Sequence, residues 1–201
     1  VHDWRGLFAK NGRHPETRVD NYSEWGRRGG WSSSSGRGWA NLSNAPFRMY
    51  KRYTHEGGVA TPLIVHWPDG LKDRNKLRHA PGHIIDIAPT CLNAAGLPTK
   101  GMEGQTLLPV FTKDSTQPRT LFWEHEGNRA VRQGDYKLVA QHNTSWELYN
   151  MRKDRSELHD LTKSMPQKAA ELKRLYEAWA HRVGAKPWDE VNIIKNKKPK
   201  K

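Results

Sequence analysis

Residues 50–58 read YKRYTHEGG, which sets Lys51, Arg52, His55 and Glu56 against the pair Gly57-Gly58. A lysine ammonium is a compact point charge suited to a tetrahedral anion such as sulfate or phosphate. Paired glycines let a backbone turn sharply and approach a neighbour closely. The stretch therefore reads either as an anion-binding turn or as a surface loop with a solvated lysine. Spacing alone favours the loop. His55 reads as a turn or wall residue, not a catalyst.

Other chemistry-bearing residues are scattered. The loop Glu124-His125-Glu126-Gly127-Asn128 could reach over a pocket mouth and select substrates, or simply be a hydrogen-bonded structural loop. His83 and Asp86 are three residues apart, a spacing that suits tying a strand to a helix better than binding a metal. Cys91 is the single cysteine, which rules out an internal disulfide and a multi-cysteine zinc site.

The elements that would position these groups divide the chain. Residues 1–45 look irregular, with a Ser/Gly loop at 31–38. The run TPLIVHWP (61–68) is apolar, β-branched and bounded by prolines, and predicts a buried strand of a parallel sheet. HIIDIAPTCLNAAG (83–96) predicts an entry into a helix capped by Asp86, with Cys91, Leu92 and Ala95 on its buried side and Gly96 at its exit. Four short strands follow at 120–125, 129–133, 136–140 and 146–149, with Gly134-Asp135 turning the middle pair. A capping box at 164–167 then opens a helix carrying Leu172, Leu175, Tyr176, Trp179 and Val183, ended by Gly184.

The chain has 201 residues, 35% hydrophobic, with nine tryptophans to build the core and a net charge of +13. Part of that charge lies in the tail KNKKPKK (195–201), and no zinc-finger or RNA-recognition spacing accompanies it, so no specific nucleic-acid signal emerges. No run reaches the eighteen or more apolar residues of a membrane helix. No signal peptide opens the chain, and its first residue is valine, which suggests a piece of something longer.

Three runs then carry a resemblance: Gly38 to Lys51, Thr54-His-Glu-Gly-Gly58 and Thr61-Pro-Leu-Ile-Val-His-Trp-Pro68. Pro81 to Thr90, Leu121 to Ala130, Arg132 to Val139 and Trp146-Glu-Leu-Tyr149 extend it in order. From about Val19 to Trp188 the sequence resembles the C-terminal portion of type I sulfatases, specifically arylsulfatases. The resemblance implies an incomplete alkaline-phosphatase-like α/β fold: a partial α/β core followed by a small antiparallel sheet and one helix. It implies residues 1–98 as the distal part of the catalytic domain, 99–190 as the four-stranded subdomain, and 191–201 as a basic, disordered tail.

For the site, the resemblance implies that Lys51, five residues before Glu56, contacts sulfate, with His55 and His125 as further substrate contacts. The family's formylglycine motif C-x-P-x-R is missing, since Cys91 stands in Pro-Thr-Cys-Leu-Asn. Calcium is expected in the complete family enzyme, yet the Asp-Asp pair and Asp-Asn-Gly are missing, and Asp20-Asn21 is followed by tyrosine and not preceded by an apolar strand. No metal ligand is therefore assigned. The implied function is a C-terminal segment of a sulfuric ester hydrolase, inactive alone, whose partners are a sulfate ester and the missing N-terminal half. Family members are commonly exported, which implies a periplasmic or secreted setting. A non-catalytic polyanion-binding protein, or a phosphoesterase fragment of the same superfamily, are the alternatives.

Overall fold

The computed structural model describes residues 7–9, 31–33, 36–73, 75–113 and 119–196. An antiparallel pair, β1 (Leu7–Ala9) and β2 (Trp31–Ser33), precedes helix α1 (Gly36–Ser43) and the single turn α2 (Glu56–Val59). A 3-10 turn at Ile84–Asp86 runs into α3 (Ile87–Ala94), and α4 (Leu108–Thr112) follows. Strands β3 (Thr120–His125), β4 (Asn128–Gln133), β5 (Tyr136–Ala140) and β6 (Glu147–Asn150) form one antiparallel sheet in chain order. Helices α5 (Pro166–Val183) and α6 (Trp188–Asn196) complete the described residues.

The sheet matches the sequence expectation closely. Its first hairpin turns at Glu126 and Gly127, both with positive φ (51° and 81°), and the second at Gly134 (φ 57°). Positive φ in a two-residue connection matches the twist of the flanking strands. Alternation then gives the sheet two faces. Val131, Leu138 and Leu148 pack with Leu172 and Tyr176 of α5, and Phe122 stacks on Trp179 with ring centroids 5.0 Å apart. Ala130, Val139 and Tyr149 lie on the opposite face with Met151. Each fully buried aliphatic side chain in the core is worth about 1.5–3 kcal/mol.

Several expectations are corrected. Residues 61–68 pair with no described strand, and Leu63 (56%) and Ile64 (89%) are exposed. A strand needs ladder partners, and no described strand supplies them. Within residues 1–45, β1, β2 and α1 stand where an irregular stretch and a Ser/Gly loop were read. Backbone pairing over three residues leaves no periodicity to find. Cys91 and Ala95 are exposed and Leu92 is half-buried, because α3 packs mainly through Pro89 and its preceding turn. Asp86 does not cap α3 with its side chain. Instead it forms a capping box with His83 one turn earlier.

At α5, Met165 is the N-cap and makes no side-chain cap bond, with Pro166 at the first position. Ser164 Oγ donates to Leu161 O, so the expected capping box does not form. Gly184, at φ 68°, ends the helix as expected. Helix α6 reaches Asn196, into the stretch read as a disordered tail, and 197–201 lie outside the described residues.

Candidate functional site

Residues 48–59 pack on the sheet face opposite α5. Lys137 is the reason. On β5 it shares a face with Val139, where alternation calls for an apolar residue, and it is fully buried. Its Nζ donates to Glu56 Oε1 at 3.0 Å and lies 2.9 Å from Glu157 Oε1, an ion pair without hydrogen-bond alignment. Glu157 Oε2 accepts from the Glu56 backbone N–H at 2.9 Å, and Arg155 Nη2 donates to Glu56 Oε2 at 3.1 Å. Burial alone would push the Glu56 carboxyl up, but Lys137 and Arg155 more than offset it and hold it below its ordinary value.

A second set of bonds fixes the start of the turn. Arg48 Nη1 donates to Tyr149 Oη at 2.8 Å and to the Glu157 carbonyl at 2.6 Å. Tyr149 Oη donates to Glu147 Oε2 at 2.9 Å, which also lies 3.2 Å from His55 Nε2. The His55 contact, with help from Tyr149 and Arg48, holds Glu147 below its ordinary value against burial. Burial and the bond to Glu147 push the Tyr149 hydroxyl up.

The glycines permit the close approach. A Cβ on Gly57 would stand 2.1 Å from Met49 O, and one on Gly58 2.0 Å from Tyr53 O. Met49 (φ 65°) and Arg52 (φ 93°) both adopt the left-handed region without being glycine, each at a cost of about 1–3 kcal/mol. Between them sits Lys51. It is exposed and makes no hydrogen bond or ion pair with any described residue. The hairpin tip closes beside it: Arg52 Nε lies 2.6 Å from Glu126 Oε2, and His125 Nδ1 is 3.2 Å from Arg52 O.

The structure thus sets His125 against the backbone of Arg52, the residue after Lys51, and buries His55. His55 is fully buried under the turn with Glu147 as its partner, so it walls no open surface. His83 donates its backbone N–H to Asp86 Oδ2 at 2.7 Å, and burial holds its imidazole below the ordinary value. Asp86, fully buried, also accepts from Gln105 N at 3.0 Å and pairs with both terminal nitrogens of Arg119. This pairing ties α3 to the start of β3.

Sequence reasoning missed Arg48, Lys137, Glu147, Tyr149 and Glu157. A signal existed for one of them: in the strand Tyr-Lys-Leu-Val-Ala, Lys137 occupies an apolar position of the alternation. Among the described residues no group of three or more His, Cys, Asp or Glu side chains could hold a metal ion, so the calcium implied by the resemblance finds no fitting ligand set there. Asp20 and Asn21 lie outside the described residues. No helix among the described residues is long and apolar enough to cross a membrane.

The family described as N-sulphoglucosamine sulphohydrolase, C-terminal, matches residues 47–181. An uncharacterized sulfatase of Schizosaccharomyces pombe is 31% identical over 158 residues, covering 70% of this chain and 28% of the relative. Arylsulfatase K of Danio rerio is 30% identical over 143 residues, covering 64% of this chain and 27% of the relative. N-acetylgalactosamine-6-sulfatase of Mus musculus is 34% identical over 118 residues, covering 56% of this chain and 22% of the relative. The chain thus spans about a quarter of the length of these curated relatives. Among solved structures, that of Ps i-CgsB is similar with a TM-score of 0.61 and 27% identity, covering 70% of this chain and 34% of the other. An incomplete α/β fold, with a small antiparallel sheet and its helix, fits these likenesses.

Proposed function

The chain belongs to the sulfatase family and carries its C-terminal portion, and on that premise we propose that it supplies the sulfate-binding lysine, Lys51, of a sulfuric ester hydrolase. The reaction is hydrolysis of a sulfate ester to an alcohol and sulfate. In it the Lys51 ammonium orients the ester and stabilises negative charge developing on the sulfate oxygens. His125, on the neighbouring hairpin tip, contacts the remainder of the substrate, and Glu126 holds Arg52 at the same rim. His55 serves from below by fixing the turn through Glu147.

The nucleophile is contributed by polypeptide outside this sequence, since no C-x-P-x-R motif occurs in it. On this reading the chain alone does not turn over. One observation carries the proposal: an exposed lysine without a described partner stands on a strained turn whose base is locked into a buried ionic cluster.

The test is Lys51→Ala in the enzyme containing both this chain and the formylglycine-bearing portion, assayed with an aryl sulfate. Loss of one such charge-stabilising donor lowers kcat by roughly 10²–10³, with the melting temperature unchanged. Activity within about threefold of the parent, a difference below ~1 kcal/mol, would sink the assignment.

A further inference from the structure

We propose that Lys137 is a positioning residue for the anion-binding turn, setting the orientation of residues 50–58, and with them Lys51, through its shared contact to Glu56 and Glu157. The inference rests on the reading of Lys51 as the sulfate contact. Lys137 itself touches no substrate.

Three observations carry it. Glu56 is gripped at three points: its backbone N–H by Glu157 Oε2, its Oε1 by Lys137 and its Oε2 by Arg155. The other end of the turn is tied to the same hub, because Arg48 donates to the Glu157 carbonyl. Glu157 is itself fully buried and held at φ 56°, a conformation that a non-glycine residue keeps only when its surroundings fix it. The turn is therefore located by directional charged contacts at both ends.

That choice of chemistry is informative. A buried ion pair is a poor route to stability, since well-packed apolar residues of similar volume often do as well or better. What charged hydrogen bonds add is register: a contact that works only at one distance and angle. Lys137 supplies one such bond, to the Glu56 carboxylate of the turn, and its charge also faces Glu157 of the segment after β6 at 2.9 Å, so three pieces of chain meet at one ammonium. Lys51 stands five residues from Glu56 on that turn, so a shift at the anchor moves the ammonium.

The experiment uses the full 201-residue chain with labelled lysine, titrated with sodium sulfate while the Lys51 side-chain resonances are followed by NMR. The variant is K137M/E157Q, which removes one buried charge of each sign and leaves Glu56 paired to Arg155. We expect it to keep a cooperative melt, to weaken the sulfate response of Lys51 by about tenfold or more, equivalent to ~1.4 kcal/mol, and to speed amide exchange at Gly57 and Gly58. Their N–H groups are bonded to Arg48 O and His55 O in the intact turn. Unchanged sulfate affinity in the folded variant overturns the proposal.

If the double variant does not fold, Glu56→Gln provides the second measurement, since it cuts the turn's charged contact to Lys137 while leaving Lys137 paired with Glu157. A weaker sulfate response supports anchoring, and an unchanged one overturns it. No response at Lys51 in the unaltered chain defeats the sulfate reading instead. In that event exchange at Gly57 and Gly58 decides the anchoring separately: faster in K137M/E157Q upholds it, unchanged removes it.

Discussion

Replacing Gly58 by alanine puts the close approach of the turn to a direct trial. The new Cβ would lie 2.0 Å from Tyr53 O and 2.8 Å from both Tyr53 C and Tyr50 O. Ordinary contact begins at 3.4 Å, so the backbones must separate by about 1.4 Å. Both obstacles are main chain, and no flexible side-chain end can swing aside. Overpacking of this kind costs roughly 1–3 kcal/mol. Misaligning the bond from Gly58 N–H to His55 O, 2.8 Å long in the intact turn, adds about 1 kcal/mol. The expected loss is therefore roughly 2–4 kcal/mol, which for a chain of this size lowers the melting temperature by about 5–15 °C. Urea denaturation measures it as a lower midpoint at unchanged slope. Two companion variants calibrate the result. Gly134→Ala meets nothing within 4 Å but sits at φ 57°, and should cost only about 1–2 kcal/mol. Gly38→Ala, in α1 and also in open space, should be neutral or stabilising by up to ~1 kcal/mol. A Gly58→Ala protein within ~0.5 kcal/mol of the parent would refute the reasoning about the turn.

Other outcomes follow from the charged groups. Arg119→Ala strands the fully buried Asp86 without its counter-ion and should destabilise by about 3–5 kcal/mol in urea denaturation. Arg52→Ala breaks a half-exposed pair with Glu126 and should cost under ~1 kcal/mol, less again at high salt. The pH profile of the melting temperature should fall on the acid side in two stages. His83 is held below its ordinary value, so its contribution is present above about pH 6.5 and is lost as pH falls through its lowered folded value. Glu56, Asp86 and Glu147 are likewise lowered, so a steeper loss sets in below about pH 4.5 as they protonate. On the alkaline side Tyr176, which burial pushes up to about 12, contributes stability that is lost as pH rises from about 10 through 12. A flat profile between pH 7 and about 4.5 would contradict the His83 assignment, and one that stayed flat below about pH 4 would contradict the three carboxylate assignments.

What the sequence disclosed tracks the range of the physics behind it. The β3–β6 meander and α5 were legible because alternation, Gly134 and the spacing of Leu172, Tyr176 and Trp179 are local signals that the fold does not override. The strand expected at 61–68 failed for the opposite reason: its residues suit a ladder, but the ladder needs neighbours that no described strand provides. At the site, Lys51 and the Gly57-Gly58 pair could be singled out from the motif itself. The hub was not legible, because Lys137 and Glu157 are joined to Glu56 across separations of 81 and 101 residues. The burial of His55 was not legible for a related reason, since an imidazole in a polar motif gives no hint of a Glu147 carboxylate 3.2 Å away.

Those long separations also set an order of events during synthesis. Contacts between residues close in sequence form first, and distant ones wait for their partners. The meander can close strand by strand as it is made, whereas the turn at residues 50–58 leaves the ribosome with every one of its anchors still untranslated. At about 5–20 residues per second, some 100 residues of scaffold take on the order of 5–20 s to arrive. Throughout that interval the turn lacks the charged partners that later fix it, Lys137, Glu147, Arg155 and Glu157. The cluster that later holds the turn so firmly thus makes its own segment among the last to settle.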